Sequence, residues 1–488
     1  MQNRKTIEGN EQDSATNLFD QCQAYLKQGN DEKAKEILER VLTIQTKDLG
    51  GDNLDLAETL KAMGDLLLRE GQLDGASDKL NRALEIQLKE LGENHVCTSN
   101  TYEGIGHVFF AQHNDQKAEE MFRQALDIRL ATQGEKHGDT ASTYKNIGDV
   151  SLSQGNFEKA EEMFRKALDI NLEILPKTHP DVTNLYHDIA KSLRFQRKFS
   201  EATNIARLVL ETVLVVHGED HLDVVKAYLG ISGLLGDQNR NHDGLQMLDK
   251  SIEICSRLQG QGQGDFDIHV LINALAMKAI CLQKLGNIQG STEVLTNILT
   301  ITKETQGEMH SSTGDTYEEL AAAYRRQEMP ELALEACGKA INIRKATLGN
   351  DHFLTKNLRA SLKLIRREKQ AKELNEQGLA MKAQGDSEKA MQLFHEALDI
   401  YTEIVATSST GHHKLVKLAE VHGSKMAAIH ENISAIKVQQ GLLEDGIAAS
   451  AEALKIRRRV HGDDHADTKA RMEAHRSLLK RLLENQSQ

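Results

Sequence analysis

Apolar and small residues recur at helical spacing along most of the chain, and the clearest example lies between Thr140 and Asp181. In the first half of this stretch, a 3.6-residue period places four residues on one face: Tyr144, Ile147, Gly148 and Ser151. After Gln154-Gly155-Asn156, the same spacing returns at Ala160, Phe164 and Ala167. Neither amphipathic stretch can bury its apolar face alone. The pattern therefore predicts a helix–turn–helix hairpin, with a small residue where the helices approach closely and a large one beside it.

This hairpin pattern repeats every 42 residues. The position of Ala160 recurs as Ala34, Ala76, Ala118, Ala202 and Gly244, and that of Gly148 as Gly64, Gly106, Ala190 and Ser232. The turn glycine recurs as Gly29, Gly71 and Gly155, with His113, Arg197 and Asn239 in the other turns. Small residues thus recur at two positions of the hairpin with the same 42-residue spacing. This repetition predicts an all-α, right-handed superhelical solenoid of about ten stacked hairpins.

The places where the 42-residue spacing begins, shifts or ends divide the chain into four segments. Polar residues 1–15 are expected to form a flexible tail, and residues 16–354 a main array of about eight repeats, irregular at the Gly/Gln-rich segment 258–264. Residues 355–467 are expected to form repeats with longer helices, because the stretch from His352 to Gly385 carries an insertion without a helix breaker. We interpret that insertion as one extended helix or a helix pair without a glycine turn. Residues 468–488 predict an amphipathic helix that caps the array.

The order of aromatic, apolar and small residues, followed by Ala-x3-Phe-x2-Ala, resembles the tetratricopeptide repeat. The hairpins also end in similar segments, among them ALDIRLATQGEKHGDT and ALKIRRRVHGDDHADT. This ALxI…LGxxHxDT exit resembles the repeats of kinesin light chains and of nephrocystin-3-like proteins. The resemblance covers about residues 16–467 and implies a non-catalytic scaffold that binds other proteins.

Kinesin light chains also carry a heptad coiled coil ahead of their repeats, which binds the motor heavy chain. Here the repeats begin near Thr16, so we expect that coiled coil to be absent and kinesin heavy chain to be a disfavoured partner. The paired asparagines that the family carries on the first helix of each repeat are matched here by Asn146 alone. The family's way of binding cargo peptides is therefore not carried over to this chain.

Composition narrows the class of partner. The formal net charge of −13 argues against a general nucleic-acid binder, and no apolar run approaches the length of a membrane span. The five cysteines are scattered and form no CxxC pair, which favours reduced thiols and a cytoplasmic location. We expect protein partners, with no nucleic acid and no insertion into a membrane.

Histidine is the residue type that most invites a catalytic or metal-binding interpretation. Four histidines, His95, His137, His179 and His221, lie 42 residues apart in the predicted turns between repeats. Stacked repeats would hold them about 10 Å apart, too far to share one metal ion. We expect each to bond backbone at the start of the next helix. No nucleotide-binding or hydrolase motif is found, so we predict no enzyme activity, no cofactor and no metal.

The first helix of each hairpin should present its second face to a groove, the usual binding surface of a solenoid. The predicted groove residues are Lys61, Asp65, Asn100, Glu103, His107, Lys145, Asn146, Asp149, Asn184, His187, Asp188, Lys191, Arg194, Asn273, Glu318, Glu319 and Arg326. Asparagine offers both a donor and an acceptor to the backbone of an extended peptide.

We therefore predict an adaptor that holds a peptide or helix of another protein in this groove. Lys191 and Arg194 favour acidic residues of the partner, and Glu318 with Glu319 favour basic ones, so we expect a charge-polarised peptide. One alternative is a cargo adaptor like the kinesin light chains that recruits a motor by another route. A less favoured one is an enzyme or enzyme regulator that uses the histidine-bearing turns.

Overall fold

The computed structural model describes residues 2–47, 53–260, 267–408 and 416–486. Within these ranges it contains 21 α-helices and no β-strand. Helices α1 to α20 follow one another as ten helix–turn–helix pairs, and α21 comes last. The predicted all-α array of about ten hairpins is confirmed. The chain divides into two compact units, Met1–Ala274 and Leu275–Gln488.

The first unit begins with six helical hairpins. Their helices are α1 (Gln2–Lys27), α2 (Asp31–Lys47), α3 (Leu54–Arg69), α4 (Leu73–Glu90), α5 (Val96–Ala111), α6 (Asp115–Thr132), α7 (Gly138–Ser153), α8 (Phe157–Ile174), α9 (Pro180–Phe195), α10 (Phe199–His217), α11 (Leu222–Asp237) and α12 (Asn241–Gly260). The division between the units falls within α13 (Ile268–Lys284).

The second unit continues with eight further helices, among them the longest in the described ranges. They are α14 (Ile288–Gln306), α15 (Ser311–Arg326), α16 (Pro330–Leu348), α17 (Phe353–Ala383), α18 (Ser387–Ser408), α19 (Val416–Gln439), α20 (Leu443–His461) and α21 (Ala466–Gln486). The insertion after His352 forms the single helix α17 of 31 residues, which confirms the first of the two interpretations. The segment divisions at residues 354 and 467 stay predictions.

Two segments differ from the sequence-based expectation. Residues 2–15 were expected to be a flexible tail, but they belong to α1. The stretch contains no proline and only Gly9, so the helix that packs through Leu18 and Phe19 can extend toward the N-terminus. Leu258 was assigned to a non-helical segment, yet it lies buried in α12, because its apolar side chain continues the buried stripe of that helix. The rest of the expected irregular segment, residues 261–264, lies outside the described residues.

The turn inside each hairpin requires one residue in the left-handed region. In the α7–α8 turn this residue is Gly155, with φ of 76°. Its N–H bonds the carbonyl of Leu152, and that of Asn156 bonds the carbonyl of Ser151, which satisfies two carbonyls at the helix end. The predicted substitutes for glycine adopt the same conformation, with φ of 58° at His113, 62° at Arg197 and 59° at Asn239.

In four of the hairpins, a glycine at the position of Gly148 in the first helix lies against a large side chain of the second. A Cβ added to Gly148 would lie 2.5 Å from Cε1 of Phe164, which is fully buried. The same arrangement joins Gly106 to Phe122 and Gly378 to Phe394. Glycine is therefore needed because an aromatic ring, rather than the partner backbone, occupies the space beside it. Ile147 and Ser151 are buried on the same face, as predicted, whereas Tyr144 is half-buried.

We expect Gly148→Ala to destabilise the protein by about 1–3 kcal/mol, because the new methyl group overlaps the ring of Phe164 and forces it to move. Gly230→Ala in α11 is the matched control, since nothing lies within 4 Å of the added Cβ there. That change should stabilise its helix by up to about 1 kcal/mol. Thermal melts of the full chain would measure both, and equal shifts for the two variants would contradict this packing.

Candidate partner-binding groove

Residues predicted for the groove lie together on the first helices of successive hairpins in the first unit. Helices α1, α3 and α5 surround a cavity of about 940 Å³. Five predicted residues line it: Lys61, Asp65, Asn100, Glu103 and His107. Apolar side chains, including Phe19 and Leu26 of α1, contribute to the same wall. Apolar walls with a few placed polar groups are typical of binding sites of this size.

Arg129 of α6 organises the polar side of this cavity. Its side chain is only 3% exposed and pairs with Glu103, with Nη2 2.8 Å from Oε2. The same Nη2 donates to Oδ1 of Asn100 at 2.7 Å. Nη1 donates to Oγ1 of Thr143 at 2.5 Å and to the backbone carbonyl of Asp139 at 2.9 Å. One guanidinium of the second helix therefore fixes groove side chains on α5 and ties α5 to α7.

A second set of contacts carries this network from α5 through α7 to α9. Asn146 donates from Nδ2 to Oε1 of Glu103 at 2.7 Å. Lys145 contacts Asp149 at 2.8 Å and Asp188 at 3.8 Å through its Nζ. The predicted residues of three consecutive hairpins are thus joined by hydrogen bonds and ion pairs.

Two titratable groups in this network are perturbed by burial. The pKa of Asp188 is raised from 3.8 to about 6, mainly because the carboxyl group is buried. The charges of Lys145 and Lys191 oppose this rise, and the charge of Asp149 adds to it. Burial lowers the pKa of His107, which favours its neutral form, although the carboxylates around it act in the opposite direction. The groove therefore contains a carboxyl group that can change charge between mildly acidic and neutral pH.

The remaining predicted residues of the first unit are more exposed. Asn184, His187 and Lys191 lie on the exposed side of α9, and Asn273 is exposed on α13. Arg194 contacts Asp237 of α11, with Nε 2.6 Å from Oδ2, so its charge is already paired. Asn100, Asn146, Asn184 and Asn273 were expected to act alike. The structure instead engages the first two in the Arg129–Glu103 network and leaves the other two exposed.

In the second unit, the three predicted residues lie on α15. Glu318 is half-buried, whereas Glu319 and Arg326 are exposed. Arg344 of α16 pairs with Asp315 and lies 4.0 Å from Glu318, so it occupies the place that Arg129 has in its own hairpin. Nη1 of Arg326 donates to Oε1 of Gln283.

The arginines on the second helices are the residues that the prediction of the groove missed. Arg129, Arg344 and Arg457 stand at one position of the repeat, directly after the isoleucine of the ALxI motif, and all three are buried. A signal was present in the sequence. Arg129 continues the spacing of Ala118, Phe122 and Ala125, which places it on the buried face of α6. A charge on a buried stripe needs a partner, and the nearest acids lie on the groove helix.

The histidines between repeats act as helix caps, as expected. Nδ1 of His137 accepts the backbone N–H of Asp139 at 3.2 Å, at the start of α7. The same contact begins α5, α9, α11, α15 and α17, at His95, His179, His221, His310 and His352. Each Nδ1 satisfies one N–H that has no partner within the helix.

We expect Arg129→Met to destabilise the protein by about 3–5 kcal/mol, because Glu103 would be left partly buried without its counter-charge. Adding Glu103→Gln should recover part of this loss, since an amide needs no counter-charge. Thermal melts of the wild type, both single variants and the double variant would measure the coupling. Strictly additive effects would mean that the two side chains do not act as a pair.

The raised pKa of Asp188 predicts a pH-dependent cost to stability. The folded state holds the proton more tightly than the unfolded chain, so protonation of Asp188 contributes stability that is fully present below about pH 3.8 and is lost as the pH rises through about 6. Above that pH the charged carboxylate is the form that costs stability. Asp188→Asn should therefore raise the melting temperature at pH 7.5, and the gain should shrink toward pH 4. Asp169→Asn, at an exposed position of α8, is the control. A gain for Asp188→Asn that is independent of pH would contradict the assignment.

None of the helices in the described ranges is both long and apolar enough to cross a membrane. Among the described residues the five cysteines form no disulfide bond, and Cys97 is the exposed one.

Comparisons with solved structures find low-identity similarity to other helical-repeat proteins. The nearly identical TPR-like repeats of a Podosopora anserina protein assigned to the kinesin light chains are 20% identical, with a TM-score of 0.37, over 41% of this chain and 95% of that one. BtubC (BKLC) from P. vanneervenii is 16% identical, with a TM-score of 0.40, over 48% and 91% of the two chains. The apo form of RapI is 15% identical, with a TM-score of 0.38, over 57% and 99%. No curated protein sequence matches the chain.

Two sequence models, both of the tetratricopeptide repeat, match more than half of the chain between them. The first matches residues 13–89, 63–131 and 97–173. The second matches residues 182–223, 313–354 and 428–467, in both compact units. These matches include the Gly148–Phe164 hairpin and the Arg129 network described above. The chain belongs to the tetratricopeptide repeat proteins.

Proposed function

We propose that this protein is a non-catalytic adaptor that holds an extended segment of a partner protein in the groove formed by the first helices of its repeats. The observation that carries the proposal is the network around Arg129, which fixes groove side chains before any partner binds. Fixed side chains lose less conformational entropy on binding than mobile ones, so they favour recognition of a defined ligand.

The polar groups left over in this network suit a peptide backbone. Asn146 uses Nδ2 to bond Glu103, and Asn100 uses Oδ1 to accept from Arg129. Among the described residues, Oδ1 of Asn146 and Nδ2 of Asn100 have no partner. The donor is on Asn100, which lines the 940 Å³ cavity, and the acceptor is on Asn146, which bonds the cavity residue Glu103. A peptide backbone offers the complementary N–H and carbonyl groups.

The charge preference for a partner differs between the two compact units, each taken by itself. Lys191 is exposed on α9 and favours an acidic residue of the partner, whereas the pairing of Arg194 with Asp237 reduces what Arg194 adds. On α15, Glu318 and Glu319 favour basic residues. A cargo adaptor like the kinesin light chains would use the same groove, and the identity of the captured partner separates that alternative from other adaptors.

Charge reversal at Lys191 should weaken partner capture. The full chain and its Lys191→Glu variant would be used for affinity purification, with quantitative mass spectrometry at low and at high ionic strength. Partners held in the groove should be depleted by the variant, mainly at low salt, because the contribution of an exposed charge is screened as salt rises.

Arg207→Glu is the control for this experiment, because it makes the same charge change at an exposed position of α10, the second helix of the same hairpin. It should retain those partners. Equal capture by all three proteins at low salt would remove this part of α9 from the binding surface. Equal depletion by both variants would indicate a general charge effect instead of a groove. A partner that passes this comparison can then be tested by surface plasmon resonance, where Lys191→Glu should slow the on-rate.

A further inference from the structure

One junction between repeats brings together three side chains that can bind a metal ion. His217 ends α10, His221 caps α11, and Asp223 lies in the first turn of α11. Nε2 of His217 and Nδ1 of His221 each lie 3.6 Å from Oδ2 of Asp223. The ligand atoms of the three residues lie within 4.8 Å of one another, and in the part of the chain that the structure describes no other such group of three occurs.

We propose that His217, His221 and Asp223 form a binding site for Zn²⁺. Imidazole nitrogens and a carboxylate oxygen are ordinary zinc ligands, with bonds of about 2.0–2.2 Å. Tetrahedral bonds of that length place ligand atoms roughly 3.3 Å apart, which is close to the two 3.6 Å distances from the histidines to Asp223. A fourth position stays open to water, and the half-exposed setting gives the ion a path from solvent.

The other junctions show why this one is distinctive. His137 and His179 also lie close to an aspartate, at 3.6 Å from Asp139 and 3.5 Å from Asp181. Four residues before these histidines stand Gln133 and Leu175, where this junction has His217. These two junctions thus provide two candidate ligands each, and a third is what turns a helix cap into a chelating site.

A second copy of the motif lies near the C-terminus, but its ligands are engaged. The sequence HGEDHLD at residues 217–223 recurs as HGDDHAD at 461–467. There Asp467 pairs with Arg457, and Nε2 of His461 lies 3.0 Å from Oγ of Ser424. The first junction has Val213 in the place of Arg457, so no arginine from that position competes for its aspartate. Lys226 contacts Asp223 through Oδ1, which leaves Oδ2 facing the histidines.

Binding the ion requires a local rearrangement. The rings of His217 and His221 are stacked, with centroids 4.0 Å apart and planes 8° from parallel. A metal ion lies in the plane of each imidazole that binds it, so the two rings must tilt away from this stacking. His221 also accepts the N–H of Asp223 through Nδ1, and coordination by that atom would replace this hydrogen bond. The site should therefore bind zinc reversibly and hold the end of α10 to the start of α11.

The test is zinc titration of the full-length protein, purified without a histidine tag and stripped with a chelator. Isothermal calorimetry should show one saturable site, and zinc should raise the melting temperature because the three ligands come together only in the folded chain. His217→Ala and Asp223→Asn should each weaken this binding at least about tenfold. Asp223→Asn keeps the size of the side chain and the backbone N–H that His221 caps, so it separates loss of a ligand from loss of folding.

His461→Ala is the matched control, because it removes the corresponding histidine of the second motif. It should bind zinc as the wild type does. Absence of a saturable site in the wild type would overturn the proposal, and so would unchanged binding by His217→Ala. Equal losses in His217→Ala and His461→Ala would also overturn it, since that result indicates scattered binding to surface histidines. These outcomes do not depend on the groove, so they are independent of the proposed adaptor function.

Discussion

The close contact between a small residue of the first helix and a large side chain of the second is the constraint on which the hairpins described above depend, and it is tightest where a glycine faces an aromatic ring. At Gly148 there is no room even for a methyl group, because the ring of Phe164 fills the space. The ring is fully buried, so the two helices can gain this burial only at one relative position. Where the aromatic is absent the rule still holds, since the Cβ of an alanine in place of Gly64 would lie 2.6 Å from Leu80.

This packing decides which side chains are left for the groove. Once one face of α7 is committed to α8, the residues Lys145, Asn146 and Asp149 must lie away from that contact, and they are found half-buried in the polar network. Their partial burial follows from the next repeat, whose first helix brings Asp188 close to Lys145. The groove is therefore a consequence of stacking, and its electrostatics combine ion pairs within one repeat, such as Arg129 with Glu103, with contacts between repeats, such as Lys145 with Asp188.

Features set within one repeat could be predicted from the sequence. The spacing of apolar and small residues was enough to predict the hairpins. It also identified the turn residues His113, Arg197 and Asn239, because an αL residue is required at the same position in every turn. Features that depend on neighbouring repeats were missed. The spacing placed Arg129 on the buried face of α6, but its bonds to Thr143 and to the carbonyl of Asp139 on α7 exist only after the next hairpin stacks on its own. Helix α1 was also missed, because a polar composition resembles that of a flexible tail when no packing partner is visible.

The repeated histidine illustrates how one position can carry two chemistries. At each of the junctions that it caps, Nδ1 accepts a hydrogen bond from a backbone N–H in the first turn of the next helix. Serine, asparagine or aspartate could accept the same bond. An imidazole differs from the side chains of serine and asparagine because the nitrogen that accepts this bond is also an ordinary ligand for a metal ion. At the junctions that begin α7 and α9, that nitrogen lies beside one aspartate and no second histidine. At the junction that begins α11, His217 ends the preceding helix and lies close to Asp223 as well, so one neighbouring residue gives a structural cap the ligand set proposed above.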